Sequence, residues 1–485
     1  MFNFEKWLFG FVVLSSLSAI LSIAVFSPVL NKDKWLTLTD KALVVFDLKS
    51  KVVLSGAEDV RVFEPVDWVE RGTVQVIDEG SPVNFKVWRP HVEAKEDLVK
   101  KKLDFLEINF PTSRIIKHKS GQPELEKNIL TAGDPQGWGG TPAGLYNVLS
   151  KNEKSFSVSS SAYMPYAVHF YGKYFIHGEP YLATGDKIDS VYSGGCIRVA
   201  DKDVQNIFTV SDVGLPVLVI DKDYVNRSFI AKDLPKPKVS AKSFAVVDLE
   251  SGVVLADKEA ETKRPVASIT KLMTAVVVAE NIDLRKGVYV TDAMLEAYGT
   301  TAGLNNGGFY KVVELFHPLL TESSNDAAEV LTGFLGRETT INLMTEKAKS
   351  LFMADTSFAD PSGFDKDNIS TAKDLTFLAR YIYNNRKPIL DITAGRKVTT
   401  FGPMQFEVSN LVNKNSFKND VGFIGGKTGF INDARNTGLF IFKMKNSLGE
   451  EFPVVVTVLG SESLKQDTEK LLEWVEEEYE IKRVR

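Results

Sequence analysis

The sequence predicts a multidomain chain with an N-terminal transmembrane helix, then a β-rich domain, then an α/β domain that combines a mixed sheet with helices. Three observations predict this order. The run WLFGFVVLSSLSAILSIAVF (7–26) carries no charge. A stretch with two prolines and no apolar period interrupts the chain near residue 235. Strand-like alternation dominates before that stretch, and helical periods framed by strands follow it.

The composition is that of a globular protein and excludes one class of function. Of 485 residues, 44% are apolar and 25% are charged, which is ordinary for folded domains. The length is enough for several of them. The 58 basic and 63 acidic residues give a formal net charge of −5. Nucleic-acid-binding proteins carry a basic face, so we expect no nucleic-acid partner.

Residues 1–30 have the length and composition of a membrane anchor or a signal segment. A helix of about 20 uncharged residues crosses a hydrocarbon core of ~30 Å. No small-residue cleavage site of the usual kind precedes Ser27 and Pro28. We therefore expect an uncleaved anchor that tethers the chain to the membrane. Cleavage, and hence a secreted protein, is the alternative.

Composition shifts divide the rest of the chain. The predicted parts are a strand-rich spacer of unknown role (31–103), a β-rich domain (104–222), a linker (223–240) and the α/β domain (241–485). The spacer ends in a short charged helical pattern, EAKEDLVKKKL (93–103). The linker contains Pro235 and Pro237. The pattern of the last domain predicts a hairpin with its turn at Ser251–Gly252, helices to about residue 390, further strands and a terminal helix.

The α/β domain contains a serine and a lysine at the spacing used in acyl transfer. In Ser268-Ile269-Thr270-Lys271, positions i and i+3 share a helix face, so the lysine amine lies beside the hydroxyl. A lysine buried among apolar residues loses its charge easily and can serve as a base. A second S-x-x-K, from Ser370 to Lys373, has a simpler explanation as a helix cap, because Thr371 and Asp374 have capping-box spacing.

Two further motifs follow in the same domain. Ser323 and Asn325 open a helical run, where a hydroxyl and an amide can move a proton and hold a substrate amide; a plain helix cap is the alternative. Lys427 and Thr428 lie in GGKTG at the start of a strand and can bind a carboxylate; a glycine-kinked edge strand is the alternative.

In this order, S-x-x-K, S-x-N and K-T-G mark penicillin-binding proteins and their relatives. With VASITKLMTAVVVAE, LLTESSNDAAEVL, FADPSGFDKDNISTAKDL and GGKTGF, the region 241–478 resembles the low-molecular-weight D-alanyl-D-alanine carboxypeptidases. The resemblance implies a penicillin-binding, β-lactamase-like fold with β-lactams as inhibitors. It implies that Ser268 is the nucleophile and Lys271 its base, and that Ser323 and Asn325 handle the proton and the substrate amide. The substrate-binding strand would consist of Lys427, Thr428, Gly429 and Phe430. Backbone N–H groups of Ser268 and Phe430 would form the oxyanion hole.

The single cysteine of the chain lies in the β-rich domain, in the sequence YSGGCIR. Cys196 has no partner for an internal disulfide or a cysteine-based zinc cage, so it either packs as a small apolar residue or does chemistry. His177 lies 19 residues upstream, a separation that lets two neighbouring strand ends bring imidazole and thiol together. Arg198 supplies a positive charge for a substrate carboxylate. A buried cysteine with a structural histidine is the alternative.

The surrounding sequence resembles the L,D-transpeptidase catalytic domain over 104–222. TPAGLYNV, MPYAVHFYGKYFIHG, SGGCIRV and VGLPVLVID carry the resemblance. It implies a β-rich fold in which Cys196 forms a thioester and His177 is the base, with substrate bound by Ser193, Gly194, Gly195 and Arg198. This chain departs from the family at Gly194, where a second histidine is common. The remaining histidines are interpreted as structural or surface residues: His91, His118, His169 and His317.

Together the two resemblances imply a bacterial cell-envelope enzyme whose catalytic domains lie outside the cytoplasm. The serine domain would remove the terminal D-Ala from pentapeptide stems of peptidoglycan, and the cysteine domain would cross-link the tetrapeptide product. Neither mechanism needs a metal or an organic cofactor. Two alternatives remain: the serine domain is an endopeptidase or lactamase, or it alone is active and the cysteine domain is a degenerate peptidoglycan-binding module.

Overall fold

A computed structural model of the chain describes residues 85–299, 302–398 and 410–484, and the backbone of four strands between 34 and 62. The chain divides into two compact units, Met1–Pro82 and Val83–Arg485. In the first unit the four strands form an antiparallel meander in chain order. They are β1 (Lys34–Thr39), β2 (Ala42–Asp47), β3 (Lys51–Gly56) and β4 (Asp59–Val62). Strands thus occupy part of the predicted spacer.

The predicted transmembrane helix at 1–30 lies outside the described residues. In the portion of the chain that is described, no helix is both long and apolar enough to cross a bilayer.

The end of the predicted spacer belongs to the second unit. Its helix α1 (Pro90–Lys100) begins at a proline, which suits the first turn because a helix leaves that N–H unpaired. The helix therefore starts three residues before the predicted 93–103. Just upstream, the Trp88 N–H donates to the Gly252 carbonyl at 2.8 Å. This segment is tied to the α/β domain.

Residues 104–222, called here the cysteine half, contain nine strands and one helix. They are β5 (Phe105–Asn109), β6 (Arg114–Lys119), β7 (Gln122–Asn128), β8 (Gly144–Asn147), β9 (Ser150–Ser157), β10 (Ala162–Tyr171), β11 (Tyr174–His177), β12 (Ile197–Arg198), α2 (Asp201–Val210) and β13 (Pro216–Ile220). One sheet has the order β7-β6-β5-β13-β8 and the other β12-β11-β10-β9. Apolar side chains of both sheets and α2 share one core, so the predicted β-rich domain is observed.

Residues 241–484, called here the serine half, contain a main sheet, two two-stranded sheets, seven α-helices and three shorter helical turns in their described part. The strands are β14 (Ser243–Asp248), β15 (Val254–Lys258), β16 (Arg264–Pro265), β17 (Gly287–Tyr289), β18 (Phe309–Lys311), β19 (Ile369–Ser370), β20 (Phe423–Ile431), β21 (Arg435–Lys445), β22 (Glu451–Ser461) and β23 (Lys482–Arg483). The helices are α3 (Thr270–Asn281), α4 (Val312–His317), α5 (Asn325–Thr332), α6 (Arg337–Ser350), α7 (Ala372–Asn385), α8 (Lys387–Thr393) and α9 (Leu464–Glu478).

The main sheet of the serine half has the order β15-β14-β22-β21-β20, and each of these pairings is antiparallel. The first strand in the sequence, β14, is a neighbour of β22, and the short β23 pairs with β21. The helices between β14 and β22 in the chain form a layer on one face. Alternate residues of the strands face this layer and the helix α9 on the other side. The predicted α/β arrangement of helices and strands is therefore confirmed.

Helix α3 is the central helix of the serine half. Eleven of its twelve residues, from Thr270 to Glu280, are buried, which a helix can sustain only in the middle of a protein. It begins directly after the short helical turn Ala267–Ile269. This burial fixes both ends of the helix, which matters because Ser268 lies just before its first turn.

Residues 223–240 contain no helix or strand, as expected for a linker, but they lie along the serine half. Arg227 pairs with Asp248 and Glu250. Further on, the Leu234 N–H donates to Glu478 Oε2 at 2.8 Å. Because these bonds hold the segment in place, it is not a free tether.

Candidate active sites

The first turn of α3 brings the serine and lysine of the S-x-x-K motif together. Lys271 Nζ lies 3.1 Å from Ser268 Oγ. The same amine donates to Asn325 Oδ1 and to the Ser362 carbonyl, each at 2.6 Å. Burial lowers the pKa of Lys271 to about 7. Near neutral pH a large fraction of this amine is therefore neutral and able to accept a proton from the hydroxyl.

The S-x-N motif serves both as a cap and as part of this cluster. Ser324 caps α5 by accepting from the Ala327 N–H at 3.1 Å. The flanking residues point elsewhere: Asn325 contacts Lys271, and Ser323 Oγ accepts from Lys427 Nζ at 2.8 Å. The alternative interpretation of this motif as a helix cap is thus correct for Ser324 only.

The K-T-G motif lies on β20, at the edge of the main sheet, where alternate N–H groups point away from the neighbouring strand. At Gly429 a Cβ atom would lie 2.7 Å from the backbone nitrogen of Ser268, so only glycine permits this close approach. Burial, and then the neighbouring charge of Lys271, holds the pKa of Lys427 well below its usual value. A bound carboxylate would oppose that shift. Phe430 follows and is exposed.

The loop from Asp360 to Asp365 supports the lysine and was missed by the sequence analysis. The buried Asp360 carboxylate accepts from the N–H groups of Ser362 and Gly363 and from the amide of Asn368. These bonds aim the Ser362 carbonyl at Lys271 Nζ. The sequence DPSG could have predicted this loop. An aspartate before proline, serine and glycine favours a turn in which its carboxylate accepts hydrogen bonds from backbone N–H groups.

The second S-x-x-K forms a helix cap. Thr371 Oγ1 accepts from the Asp374 N–H at 3.0 Å at the start of α7. Ser370 Oγ is buried 2.7 Å from Thr356 Oγ1. The Asp374 carboxylate accepts from Thr356 and Asp355, so it does not complete the capping box.

In the cysteine half, Cys196 lies one residue before β12. Its thiol donates to the Lys173 carbonyl at a sulfur–oxygen distance of 3.8 Å. Burial raises the pKa of this thiol to about 11, although a hydrogen bond from the Phe175 N–H opposes the shift. At neutral pH the group is therefore a protonated thiol.

The predicted base, His177, lies on the neighbouring strand. Parallel pairing puts His177 opposite Arg198, which follows Cys196 by two residues. The Nδ1 atom of His177 is 2.6 Å from the Gly178 carbonyl oxygen, and burial lowers the pKa of the imidazole to about 4. Among the contacts of the described residues, none joins the imidazole to the sulfur directly.

The residues around Cys196 form a fixed turn. Ser193 Oγ donates to the Cys196 carbonyl and accepts from the Gly195 N–H. Gly195 has φ +111°, a conformation that favours glycine, and a Cβ atom there would lie 2.2 Å from a ring carbon of Tyr174. By contrast, a Cβ atom at Gly194 would meet nothing within 4 Å. There is thus space for the histidine that the family commonly has.

Arg198 is held beside this turn. Its Nη1 atom donates to Ser190 Oγ at 2.9 Å. Its buried Nε has no hydrogen-bond partner among the described residues. The four other histidines pack against neighbours: His91 stacks on Tyr224, His118 on Phe105 and His169 on Phe175, and His317 is buried. The described residues contain no cluster of three or more His, Cys, Asp or Glu side chains suited to a metal ion.

Comparison with known proteins identifies both halves. A family model for D-alanyl-D-alanine carboxypeptidase matches residues 230–462, and one for the L,D-transpeptidase catalytic domain matches 104–219. The D-alanyl-D-alanine carboxypeptidase DacB2 of Mycobacterium tuberculosis is 34% identical over 213 residues, which are 43% of this chain and 72% of the relative. The chain belongs to the D-alanyl-D-alanine carboxypeptidase family.

Other members of this family are similar at lower identity. The D-alanyl-D-alanine endopeptidase of Escherichia coli is 29% identical over 269 residues, covering 52% of this chain and 82% of the relative. The crystal structure of a D-alanyl-D-alanine carboxypeptidase from Mycobacterium tuberculosis aligns with 29% identity and a TM-score of 0.45, over 51% of this chain and 95% of its own. The cysteine half is an added L,D-transpeptidase catalytic domain by its family match.

We expect the rate of Ser268 acylation by penicillin to rise about tenfold with each unit of increasing pH up to about pH 7, and to level off above it. The reason is that only neutral Lys271, whose pKa is about 7, accepts the serine proton. Stopped-flow measurement of the acylation rate across pH checks this. Lys373→Met, at the lysine of the second S-x-x-K, is the matched control and should leave the profile unchanged. An acylation rate that does not change with pH, or one that rises around the usual pKa of lysine, would contradict the role of Lys271 as the base.

Proposed function

We propose that this chain acts on peptidoglycan stem peptides at two active sites, trimming with the serine half and cross-linking with the cysteine half. The observation that carries the first activity is the 3.1 Å contact between Lys271 Nζ and Ser268 Oγ. Ser268 Oγ attacks the carbonyl carbon of the terminal D-Ala-D-Ala peptide bond while its proton passes to Lys271. The bond to the last D-Ala then breaks, that residue leaves as the amine, and water releases the shortened stem from the acyl-enzyme.

The substrate is oriented by the K-T-G strand. Lys427 and Thr428 bind the terminal carboxylate, and the N–H groups of Ser268 and Phe430 donate to the developing oxyanion. The contact between Lys427 and Ser323 links this carboxylate site to the leaving group. Ser323 and Asn325 handle the proton and the substrate amide. The endopeptidase among the relatives supports the same site acting on cross-linked peptides as a second reaction.

The cysteine half uses the tetrapeptide that the first step makes. Cys196 sulfur attacks the carbonyl before its terminal D-Ala, which leaves as the amine, and an acceptor amine then resolves the thioester. A thiol pKa of about 11 and an imidazole pKa of about 4 favour a neutral pair at rest. The proton therefore transfers to His177 during attack rather than before it. Arg198, with Ser193, Gly194 and Gly195, binds the substrate.

Two observations favour a second candidate, in which the cysteine half only binds peptidoglycan. Gly194 stands where the family commonly has histidine. The Cys196 thiol also donates to Lys173 rather than to an imidazole. In this alternative only the serine half reacts.

We propose that incubation of pentapeptide muropeptides with two variants will separate the steps. Wild type should give tetrapeptides and cross-linked dimers, resolved by mass. Cys196→Ala should stop at tetrapeptides. Ser268→Ala should leave pentapeptides intact and still cross-link added tetrapeptides, because its cysteine site is complete. Ser370→Ala, in the second S-x-x-K, is the matched control and should behave as wild type.

The result that contradicts the trimming assignment is tetrapeptide formation by Ser268→Ala. Cross-linking by Cys196→Ala contradicts the cysteine assignment. Wild type that binds tetrapeptides without cross-linking them supports the binding-module alternative.

The family places the chain in the cell envelope, and we propose that residues 1–30 anchor it there. The uncharged run at 7–26 supports this, since it is long enough to cross a bilayer. Deleting residues 1–30 should move the protein from the carbonate-resistant membrane fraction to the soluble fraction on fractionation of cells that carry an alternative export signal. Release of the full-length protein by carbonate alone would contradict an integral anchor.

A further inference from the structure

Both hydrogen bonds described above for the Cys196 sulfur are made with one turn of the backbone. This turn, residues 172–175, joins β10 to β11 and is called here the sulfur turn. Its Lys173 carbonyl accepts from the thiol, and its Phe175 N–H forms a hydrogen bond that favours the thiolate. The position of the sulfur turn therefore sets the hydrogen bonds available to the sulfur in both of its protonation states.

The serine half holds the sulfur turn at the end of α3. Lys173 Nζ donates to the carbonyls of Ala279 and Ile282 at 2.9 and 3.0 Å. Carbonyls at a helix C-terminus lack partners within the helix and carry partial negative charge, so an ammonium group is favoured there. The same helix begins beside Ser268.

A second side chain of the serine half holds the far side of the sulfur turn. Arg386 is completely buried and pairs with Glu280 of α3 at 2.9 Å. It also donates to the Tyr174 hydroxyl at 3.2 Å and to the Gly140 carbonyl at 2.7 Å. Both of these groups belong to the cysteine half.

These contacts converge on the residue before Cys196. The Tyr174 ring fills the space where Gly195 would carry a side chain. Thr141, next to Gly140, donates from Oγ1 to the Gly195 carbonyl at 2.8 Å. Arg386 thus holds the groups that pack on both sides of Gly195, although it belongs to the other catalytic half.

We propose that Lys173 and Arg386 are positioning residues of the cysteine site, and that the serine half is a structural part of that site through α3. The inference rests on the proposed thiol chemistry of Cys196. It adds that the L,D-transpeptidase domain of this chain reaches full reactivity only when docked on the carboxypeptidase domain. Lys173 keeps the Phe175 N–H aimed at the sulfur, which favours the thiolate. Burial lowers the pKa of Lys173 to about 8, so below that pH its amine also adds a nearby positive charge.

The test uses the full chain, whose only cysteine makes thiol alkylation specific to this site. Iodoacetamide alkylation of Cys196 is followed by intact mass across pH. Lys173→Met should slow alkylation at least threefold at pH 7, where Lys173, whose pKa burial lowers to about 8, still carries its charge. Lys173→Arg should restore the wild-type rate at that pH, because it keeps the charge and the donors. Lys119→Met, which removes an exposed lysine of β6, is the matched control.

Carbapenem acylation of Cys196 measures positioning separately. Lys173→Met and Arg386→Lys should each slow it at least tenfold. Acylation of Ser268 by a fluorescent penicillin should stay within twofold of wild type and shows that the serine half remains folded. Lys347→Met disturbs the same buried Glu280, and Lys347 reaches Tyr146 and the ring of Tyr171 but donates to no group of the sulfur turn among the described residues. It should therefore slow carbapenem acylation less than Arg386→Lys does.

The inference is overturned if Lys173→Met is alkylated at the wild-type rate at pH 7, or if Lys173→Arg fails to restore that rate. It is also overturned if Lys347→Met slows carbapenem acylation as much as Arg386→Lys, since the effect is then general loosening. If wild-type Cys196 takes no carbapenem at all, the proposed cysteine chemistry fails. The alkylation profiles then still decide whether the serine half controls the sulfur.

Discussion

The buried carboxylate of Glu280, near the end of α3, is the constraint on which the arrangement of the two halves depends. It pairs with Lys347 and Arg386 at 2.9 Å each, and all three side chains are completely buried. Burial raises its pKa, but the two positive charges outweigh this and hold the pKa below its usual value. Removing one partner of such a buried pair typically costs about 3–5 kcal/mol, because the remaining charge is left uncompensated.

The cluster is shared between the halves. Lys347 Nζ donates to the Tyr146 hydroxyl at 2.8 Å, and Arg386 donates to Gly140 and Tyr174. Separating the halves would remove these hydrogen-bond acceptors from Lys347 and Arg386 and change the surroundings in which the two cations are now buried. A flexible tether would raise the effective concentration of one site near the other; here the two sites are instead fixed at opposite ends of one helix. A twelve-residue helix is roughly 18 Å long, so in the proposed two-step reaction the tetrapeptide would have to leave the first site to reach the second.

The sequence allowed the serine site to be predicted because its chemistry is carried by short motifs. Ser268 and Lys271 are three residues apart on one turn, so local geometry alone brings them together. The order of the three motifs pointed to Ser323 and Lys427, which meet across 104 positions. The Ser362 carbonyl was not predictable, since any residue carries a carbonyl and only the folded loop aims it. The cysteine site was predicted less completely, because no short spacing sets the approach of the His177 ring to the sulfur.

The contacts between the halves were not predictable from the sequence. Glu280, Lys347 and Arg386 are charged residues in helical patterns, and such residues usually face solvent. Their burial follows from the docking of a second domain, which periodicity does not reveal. For the same reason residues 223–240 looked like a free linker: proline content and polarity report the absence of helix or strand, whereas the bond from Leu234 to Glu478 depends on tertiary structure.

Hydrogen exchange across a urea series tests most directly whether the halves form one cooperative body. Mass spectrometry reads peptides from β10 of the cysteine half and from α3 of the serine half in the same sample. The account predicts one common midpoint in wild type, and a shift of both peptides to lower urea in Glu280→Gln, where Lys347 and Arg386 lose their counter-charge. It is contradicted if β10 opens at a lower urea concentration than α3 in wild type, or if Glu280→Gln shifts α3 alone.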